Sequence, residues 1–494
     1  MRKLIRTIRN LVALLIAAGI ILACVLGYNA LTRQSRQIAV TPIPRAAVDE
    51  KNAADHLSAA IRFQTISSAT DPDQNADAFR GLQTYMAETF PAFHAAAKRE
   101  AVNGLSLLYT WQGSDPNAVP IALLAHQDVV PIAPGTESSW QVPPFDGTIR
   151  DGFIWGRGSW DDKGNLFSIL EAVEQLAKEG FRPKHTIYLA FGADEEVGGL
   201  RGASEIAKLL AQRGVKLDYV IDEGLVIADG MLKGLDRPAA LIGIAEKGYA
   251  TVDLSLTATP GHSSMPPKQS AIGIMSAALA KLDRHRMPAR IQGAAQEMLQ
   301  TLAPEMNAMN RIVLSNLWLF KPLLLREFGK SPSTDALIRT TTALTIVNAG
   351  NQDNVLPGRV DATVNFRLQP GDTEATVIDH VRRTIDNDAI TITRRDVNTE
   401  PPPVTSTRTD AYRALNRTIR EVFPDVVVAP GLMLAATDSR HYAGVTKSIF
   451  RFSPVRAKAE DLLRFHGTNE RLSIANYADM IRFYRRLIEN TATK

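Results

Sequence analysis

Three of the acidic doublets in this chain lie in glycine-containing segments: Asp161–Asp162 in GRGSWDDKGN, Glu195–Glu196 in ADEEVGG and Asp222–Glu223 in DEG. A solvated turn accounts for any one of them taken alone. Gathered in one place, so many carboxylates would raise one another's pKa values and destabilise the fold. A bound divalent cation reverses the sign of that interaction. His126 in HQDVVP adds an imidazole, with Asp128 two residues further on. A set of histidine and carboxylates suits Zn²⁺, whereas carboxylates alone point to Mg²⁺ or Ca²⁺. Cys24 is the only cysteine and lies in the apolar N-terminal run. The rest of the chain therefore has no thiol for nucleophilic attack, metal binding or an internal disulfide, and any catalysis must use oxygen and nitrogen groups.

These groups need elements to hold them, and the hydropathy pattern supplies candidates. Strand-like runs at 121–125, 186–191 and 219–221 each lead into one of the acidic or imidazole clusters. Helical patterns at 166–178 and 203–210 alternate with them. The pattern predicts an α/β fold: a mostly parallel sheet with helices on both faces, whose strand carboxyl ends form the ligand crevice. Near Lys247 the character changes. GYATVDLSLTATPGH alternates like a half-exposed strand, a helix is expected at 271–282, and strands at 341–347, 359–368 and 389–393 flank a helix starting at Thr373. This predicts an inserted, smaller α+β lid or dimerisation domain. The expected division is residues 1–47 as N-terminal anchor and linker, 48–246 as the first part of the catalytic domain, 247–398 as the insert and 399–494 as the second part. Within the last part a helix at 410–422, a strand at 448–452 and a terminal helix at 473–489 are expected. The stretch 291–331 is helical in flavour. Its run Leu317, Trp318, Leu319 and Phe320 reads as a buried helix, the rival being an apolar lid over an acyl tail.

Of 494 residues 45% are apolar, enough for more than one core, and the formal charge is +4. Arg2, Lys3, Arg6 and Arg9 carry four positive charges ahead of any acid, so the remainder is near neutral and a nucleic-acid surface gains no support. That basic head leads into the uncharged run from Leu11 to Gly27, long enough as a helix to cross a bilayer. The flank predicts a single-pass signal anchor with the bulk exported. A cleaved signal peptide and secretion is the rival reading. ILAC resembles a lipoprotein box only loosely, because Leu22 fits poorly and the apolar run continues past Cys24.

HQDVVP, GRGSWDDKGN, ADEEVGG, DEG, GHSSMPP and RFHGTNE together resemble the zinc-dependent amidohydrolases of peptidase family M twenty, which includes acetylornithine deacetylase, aminoacylase, glutamate carboxypeptidase and carboxypeptidase S. WQVPPFDGTIRDGFIWGRG and NVLPG are most similar to the branch holding carboxypeptidase S and the N-fatty-acyl-amino-acid hydrolase/synthase. The resemblance covers about residues 50–490. It implies two Zn²⁺ per subunit, bridged by Asp161, with a cis peptide between Asp161 and Asp162. It implies His126 and Asp222 as ligands of one zinc, and Glu196 and His466 as ligands of the other. Nothing local selects His466, which without the resemblance reads as a surface histidine. Asp128 is expected to fix the orientation of the His126 ring. Glu195 is implied as the general base that takes a proton from water and delivers it to the leaving amine. His262 is implied to stabilise an oxyanion, often in the partner subunit's site, and Asn354 and Arg440 to grip the substrate.

The expectation is a membrane-anchored, exported di-zinc hydrolase, with a possible homodimer through the insert. It would cleave an amide bond beside a free C-terminal carboxylate, in a short peptide or an N-acyl amino acid. Two rivals remain: a Mg²⁺-dependent phosphohydrolase, which would not need His126 or His466, and a non-catalytic binding module on a membrane stalk.

Overall fold

The computed structural model describes residues 2–492. Eight strands form the main sheet: β1 (Lys98–Val102), β2 (Ser106–Trp111), β3 (Ile121–His126), β4 (Ile187–Gly192), β5 (Val220–Ala228), β6 (Ala239–Glu246), and, after the insert, β11 (Val427–Met433) and β12 (Ile449–Ala457). Their order is β1-β2-β4-β3-β5-β12-β6-β11. The centre is parallel, with β4, β3, β5 and β12 running together. β1 and β2 are antiparallel additions at one edge.

The central strands read as unbroken apolar runs because both faces are covered. Ile121, Leu123 and Ala125 share a core with Leu57, Phe167, Leu415 and Met480 of the helices on one side. Ala122 and Leu124 pack with Ile206 and Leu210 on the other. Helices Lys163–Lys178 and Ile474–Ala492 lie side by side on the first face. The alternation places successive side chains in opposite cores, as strand geometry requires.

A second sheet begins immediately after Lys247. Its strands β7 (Gly248–Thr257), β8 (Thr341–Ala349), β9 (Arg359–Leu368) and β10 (Thr391–Arg394) are antiparallel in the order β8-β9-β7-β10. Helices Ala271–Arg284 and Glu374–Ile385 close its apolar face, giving this layer its own core around Leu254, Leu282, Phe366 and Val381. The helices between Gly293 and Ile338, expected within the insert, do something else. They share a core with β6 and β11 of the main sheet through Met298, Leu302, Leu314 and Leu324.

The helix Leu317–Phe328 forms as expected, but it is not a buried helix. Only Leu324 is fully enclosed, while Trp318 and Leu319 face outward. The N-terminal helix Arg2–Thr32 is long and apolar enough to cross a membrane, and no part of its apolar window is buried among the described residues.

Candidate metal centre

The site gathers groups from the carboxyl end of β3, from the turn that follows β4 and from the first half of β5, where Asp222 and Glu223 are the third and fourth residues. His126 ends β3. Its Nδ1 faces the Asp128 carbonyl at 3.0 Å and the Asp128 carboxylate at 3.2 Å. Its Nε2 lies 3.1 Å from Asp161 Oδ1 and 3.4 Å from Glu223 Oε1. Asp161 Oδ2 in turn lies 3.1 Å from His466 Nε2, which is 3.2 Å from Glu196 Oε2. Asp161 thus stands between two imidazoles, each with a second carboxylate. The ligand atoms of His126, Asp161 and Glu223 lie within 4.8 Å of one another, as do those of Asp161, Glu196 and His466.

The residues fit a pair of divalent cations. Glu196 Oε1 is buried with no hydrogen-bond partner among the described residues, and every donor is a nitrogen or carboxylate oxygen of the kind that binds Zn²⁺. Charge crowding points the same way. Burial, then the Asp161 charge, lifts both Glu196 and Glu223 to about 7. His466 is lifted to about 10 by Asp161 and Glu196. Burial draws His126 down, but its carboxylate neighbours outweigh that and hold it well above the usual histidine range. Without positive charge at its centre, this cluster is electrostatically frustrated.

The two acids of the DEG segment have different partners. Asp222 is buried near the cluster, yet its Oδ1 accepts the Glu223 N–H at 2.9 Å and its Oδ2 the Ser439 N–H at 2.7 Å. The neighbouring Glu223 lies beside His126 and Asp161. The register of β5 against β12 shifts between Asp222 and Leu225, and in this irregular stretch the Glu223 carboxylate lies 3.4 Å from His126 Nε2.

The supporting shell is explicit. The Asp128 carboxylate accepts the N–H of Glu195 at 3.1 Å and of Glu196 at 3.1 Å, and the Ser67 hydroxyl at 2.6 Å. One side chain therefore orients the His126 ring and the turn that carries Glu195 and Glu196. Asp162 Oδ2 accepts the His126 N–H at 3.1 Å, and the Asp161–Asp162 peptide is cis. Far along the chain, Glu470 binds Arg157 at 2.7 Å and accepts the N–H groups of Gly158, Trp160 and Asp161. Arg157 also donates to the carbonyls of His466 and Gly467. This buried knot ties the His466 loop to the Asp161 loop.

Glu195 lies on a single 3₁₀ turn, Glu195–Val197. Burial and the charges of Asp438, Glu223 and Glu196 push its carboxyl well above the ordinary range, against the pull of His126. Asp438, which sequence reasoning did not single out, is itself buried with neither oxygen hydrogen-bonded among the described residues. Its carboxylate fits because Gly192 and Gly199 lack side chains: a Cβ would stand 2.4 and 2.1 Å from its oxygens. Arg440 donates to the Gly198 carbonyl at 2.7 Å, just beyond the Glu195 turn, and its Nε has no hydrogen-bond partner among the described residues. Arg367, also unanticipated, projects from β9 of the lid and lies 4.8 Å over the Tyr249 ring. Burial and then the nearby Arg440 charge lower its pKa, while Glu195 and Glu246 act against them.

Among the described residues, no hydrogen bond or ion pair joins His262 or Asn354 to the cluster. Both are exposed in the second-sheet layer, where Gly261–His262 pairs with Val355–Leu356. The His262 Nδ1 bonds to the Ser264 hydroxyl and backbone, and the Asn354 carbonyl accepts the Ser263 N–H.

The sequence model of a family described as "Peptidase family M20/M25/M40" matches residues 122–490. The chain is 43% identical to the N-fatty-acyl-amino acid synthase/hydrolase PM20D1 of Xenopus tropicalis, over 90% of this chain and 87% of that protein. It is 43% identical to the probable carboxypeptidase S-like 2 of Dictyostelium discoideum, over 89% and 85%. Its fold is similar to the M20 family metallo-carboxypeptidase Sso-CP2 from Sulfolobus solfataricus, with a TM-score of 0.65 at 19% identity, covering 91% of this chain and 100% of that one.

Proposed function

Because the chain belongs to peptidase family M20/M25/M40, we propose that it hydrolyses the amide bond of N-acyl amino acids and short peptides beside a free C-terminal carboxylate, using two zinc ions. It is a metal-dependent hydrolase of the carboxypeptidase and N-acyl-amino-acid hydrolase type. The observation that carries the two-cation reading is the position of Asp161, with one oxygen 3.1 Å from each of two imidazoles. His126 and Glu223 would hold one ion, Glu196 and His466 the other, and Asp161 both.

Bound zinc supplies Lewis acidity towards water and the scissile carbonyl. The chain's own residues do the rest. Glu195, held by its backbone bond to Asp128, takes the proton of the attacking water and returns it to the leaving amine. Arg440, which donates to the Gly198 carbonyl beside the Glu195 turn, and Arg367, which feels the charges of both Arg440 and Glu195, would grip the substrate carboxylate. The chain is equally identical, at 43%, to PM20D1 and to a carboxypeptidase S-like protein over most of each chain, which supports N-acyl amino acids and short peptides alike as substrates. A Mg²⁺ phosphohydrolase gives no reason for two imidazoles in the cluster. The N-terminal helix would anchor the enzyme in a bilayer with the catalytic domain exported.

Release of free amino acid from a panel of N-acyl amino acids and dipeptides, with added Zn²⁺ and with chelator, tests this reading. Chelator-sensitive turnover of substrates with a free carboxylate supports it. Turnover that is indifferent to chelator, or confined to phosphate esters, removes it.

A further inference from the structure

The helix Leu317–Phe328 presents an apolar face that the protein leaves uncovered. Trp318 is 63% exposed, Leu323 56% and Leu319 38%, and Met309 on the preceding helix is 70% exposed. Trp318 and Pro322, like Leu319 and Leu323, are four residues apart and so stand on one side of the helix. Its opposite side, through Leu317, Leu324, Leu325 and Phe328, packs into the core below. Arg326 stands on the exposed side, four residues beyond Pro322 and three beyond Leu323, with Lys321 and Lys330 exposed beside it, and the only acid on this helix, Glu327, pairs with Lys330.

This patch is joined to the end of the N-terminal apolar helix. Asn29 Nδ2 donates to Asn316 Oδ1 at 2.8 Å, and Asn316 Nδ2 donates to the Leu26 carbonyl at 3.1 Å. Arg311 donates to the carbonyls of Ala30 and Arg33. Trp318 Nε1 donates to the same Asn316 oxygen at 3.2 Å. The indole is therefore tied to the level at which the apolar run gives way to polar chain.

We infer that the Leu317–Phe328 helix lies in the interface of the bilayer crossed by the N-terminal helix, with Trp318, Leu319 and Leu323 inserted among the lipids and Lys321 and Arg326 at the phosphates. The inference rests on the anchoring proposed above. An aromatic ring at headgroup depth, an apolar face and a basic border are what an interfacial helix requires. Sharing Asn316 with the spanning helix fixes the depth and orientation of this one. The enzyme is then held against the membrane at two places rather than tethered by one.

Two residues make the test specific. Trp318 is the only exposed tryptophan, the other four being 9% exposed or less, and Cys24 is the only cysteine, within the apolar run. In the full chain reconstituted into phosphatidylcholine–phosphatidylglycerol vesicles, Cys24 should be protected from a water-soluble maleimide. Trp318 emission should be quenched by lipids brominated near the headgroup, and its quenching by aqueous iodide should be several-fold weaker than in a variant carrying Leu319→Glu and Leu323→Glu. Trp318→Phe should abolish the lipid-quenched component. Protected Cys24 with Trp318 fully open to iodide overturns the interfacial helix and leaves the anchor standing, the result also expected if a protein partner covers the patch. Labelled Cys24 overturns the anchor, and the inference with it.

Discussion

A carboxyl group that accepts a proton from water must be ionised when the water is in place. Burial among Asp438, Glu223 and Glu196 pushes Glu195 the other way. Its basicity is thus tuned upward, and its ionisation depends on positive charge in the cluster beside it. Glu195→Gln keeps the size of the side chain and the backbone bond to Asp128 while removing the base. The variant should retain its metal content and lose at least about 100-fold in kcat; metal analysis alongside steady-state kinetics checks both halves, and near-normal turnover would take Glu195 out of the mechanism. At this scale the sequence was informative about residue types and weak about direction. The doublets announced a metal site, but DEG alone does not say which acid faces it. That depends on the irregular register of β5 against β12, where the backbone N–H groups of Glu223 and Ser439 claim Asp222. Asp438 and Arg367 were illegible for another reason: their significance comes from neighbours that are remote in the chain.

The elements that position the site are held by buried polar knots rather than by strand ladders alone. Glu470 binds Arg157 and three backbone N–H groups in full burial. Glu470→Ala would leave that cation and those donors without an acceptor, and should cost about 3–5 kcal/mol of stability. It should also weaken metal retention, since the His466 loop is tied through Arg157; denaturation midpoints and metal content measured together check this. Lys247 joins the main sheet to the lid, donating to the Arg339 carbonyl at 2.8 Å. Burial, and then the Arg367 charge, depresses it from 10.5 to about 7. Between those values the unfolded chain holds a proton that the folded chain lacks, so this group's contribution to stability rises with pH across that window and is most unfavourable below about 7. Relative to wild type, Lys247→Met should gain most in urea midpoint below neutrality and least near pH 10; a gap independent of pH would contradict the shift. The alternation of strand and helix patterns carried most of the architecture, because central strands and amphipathic helices have distinct periods. Sequence reading passed over β1, β2, β6 and β11. β6, AALIGIAE, is buried on nearly every side and so shows no alternation, and β1 and β2 are antiparallel edge additions that no βαβ pattern announces.

At the scale of the whole molecule the unfinished part is the lid. His262 and Asn354 lie together on it, both exposed, and among the described residues no hydrogen bond or ion pair joins them to the cluster they are expected to serve. If a second copy brings its lid to this site, neither residue needs to reach its own. Mixing His262→Ala protein with Glu195→Gln protein should then restore part of the lost activity, since one site in the mixed dimer has both an intact base and an intact histidine. No recovery despite demonstrated subunit exchange would mean that each site is completed within one chain. The claim beneath all of this is that two cations share Asp161. Anomalous diffraction at the zinc edge from metal-loaded crystals reads it directly. The account predicts two peaks about 3.5–4 Å apart, both touching Asp161, one flanked by His126 and Glu223 and the other by Glu196 and His466. A single peak, or a peak ligated by Asp222 in place of Glu223, would contradict it.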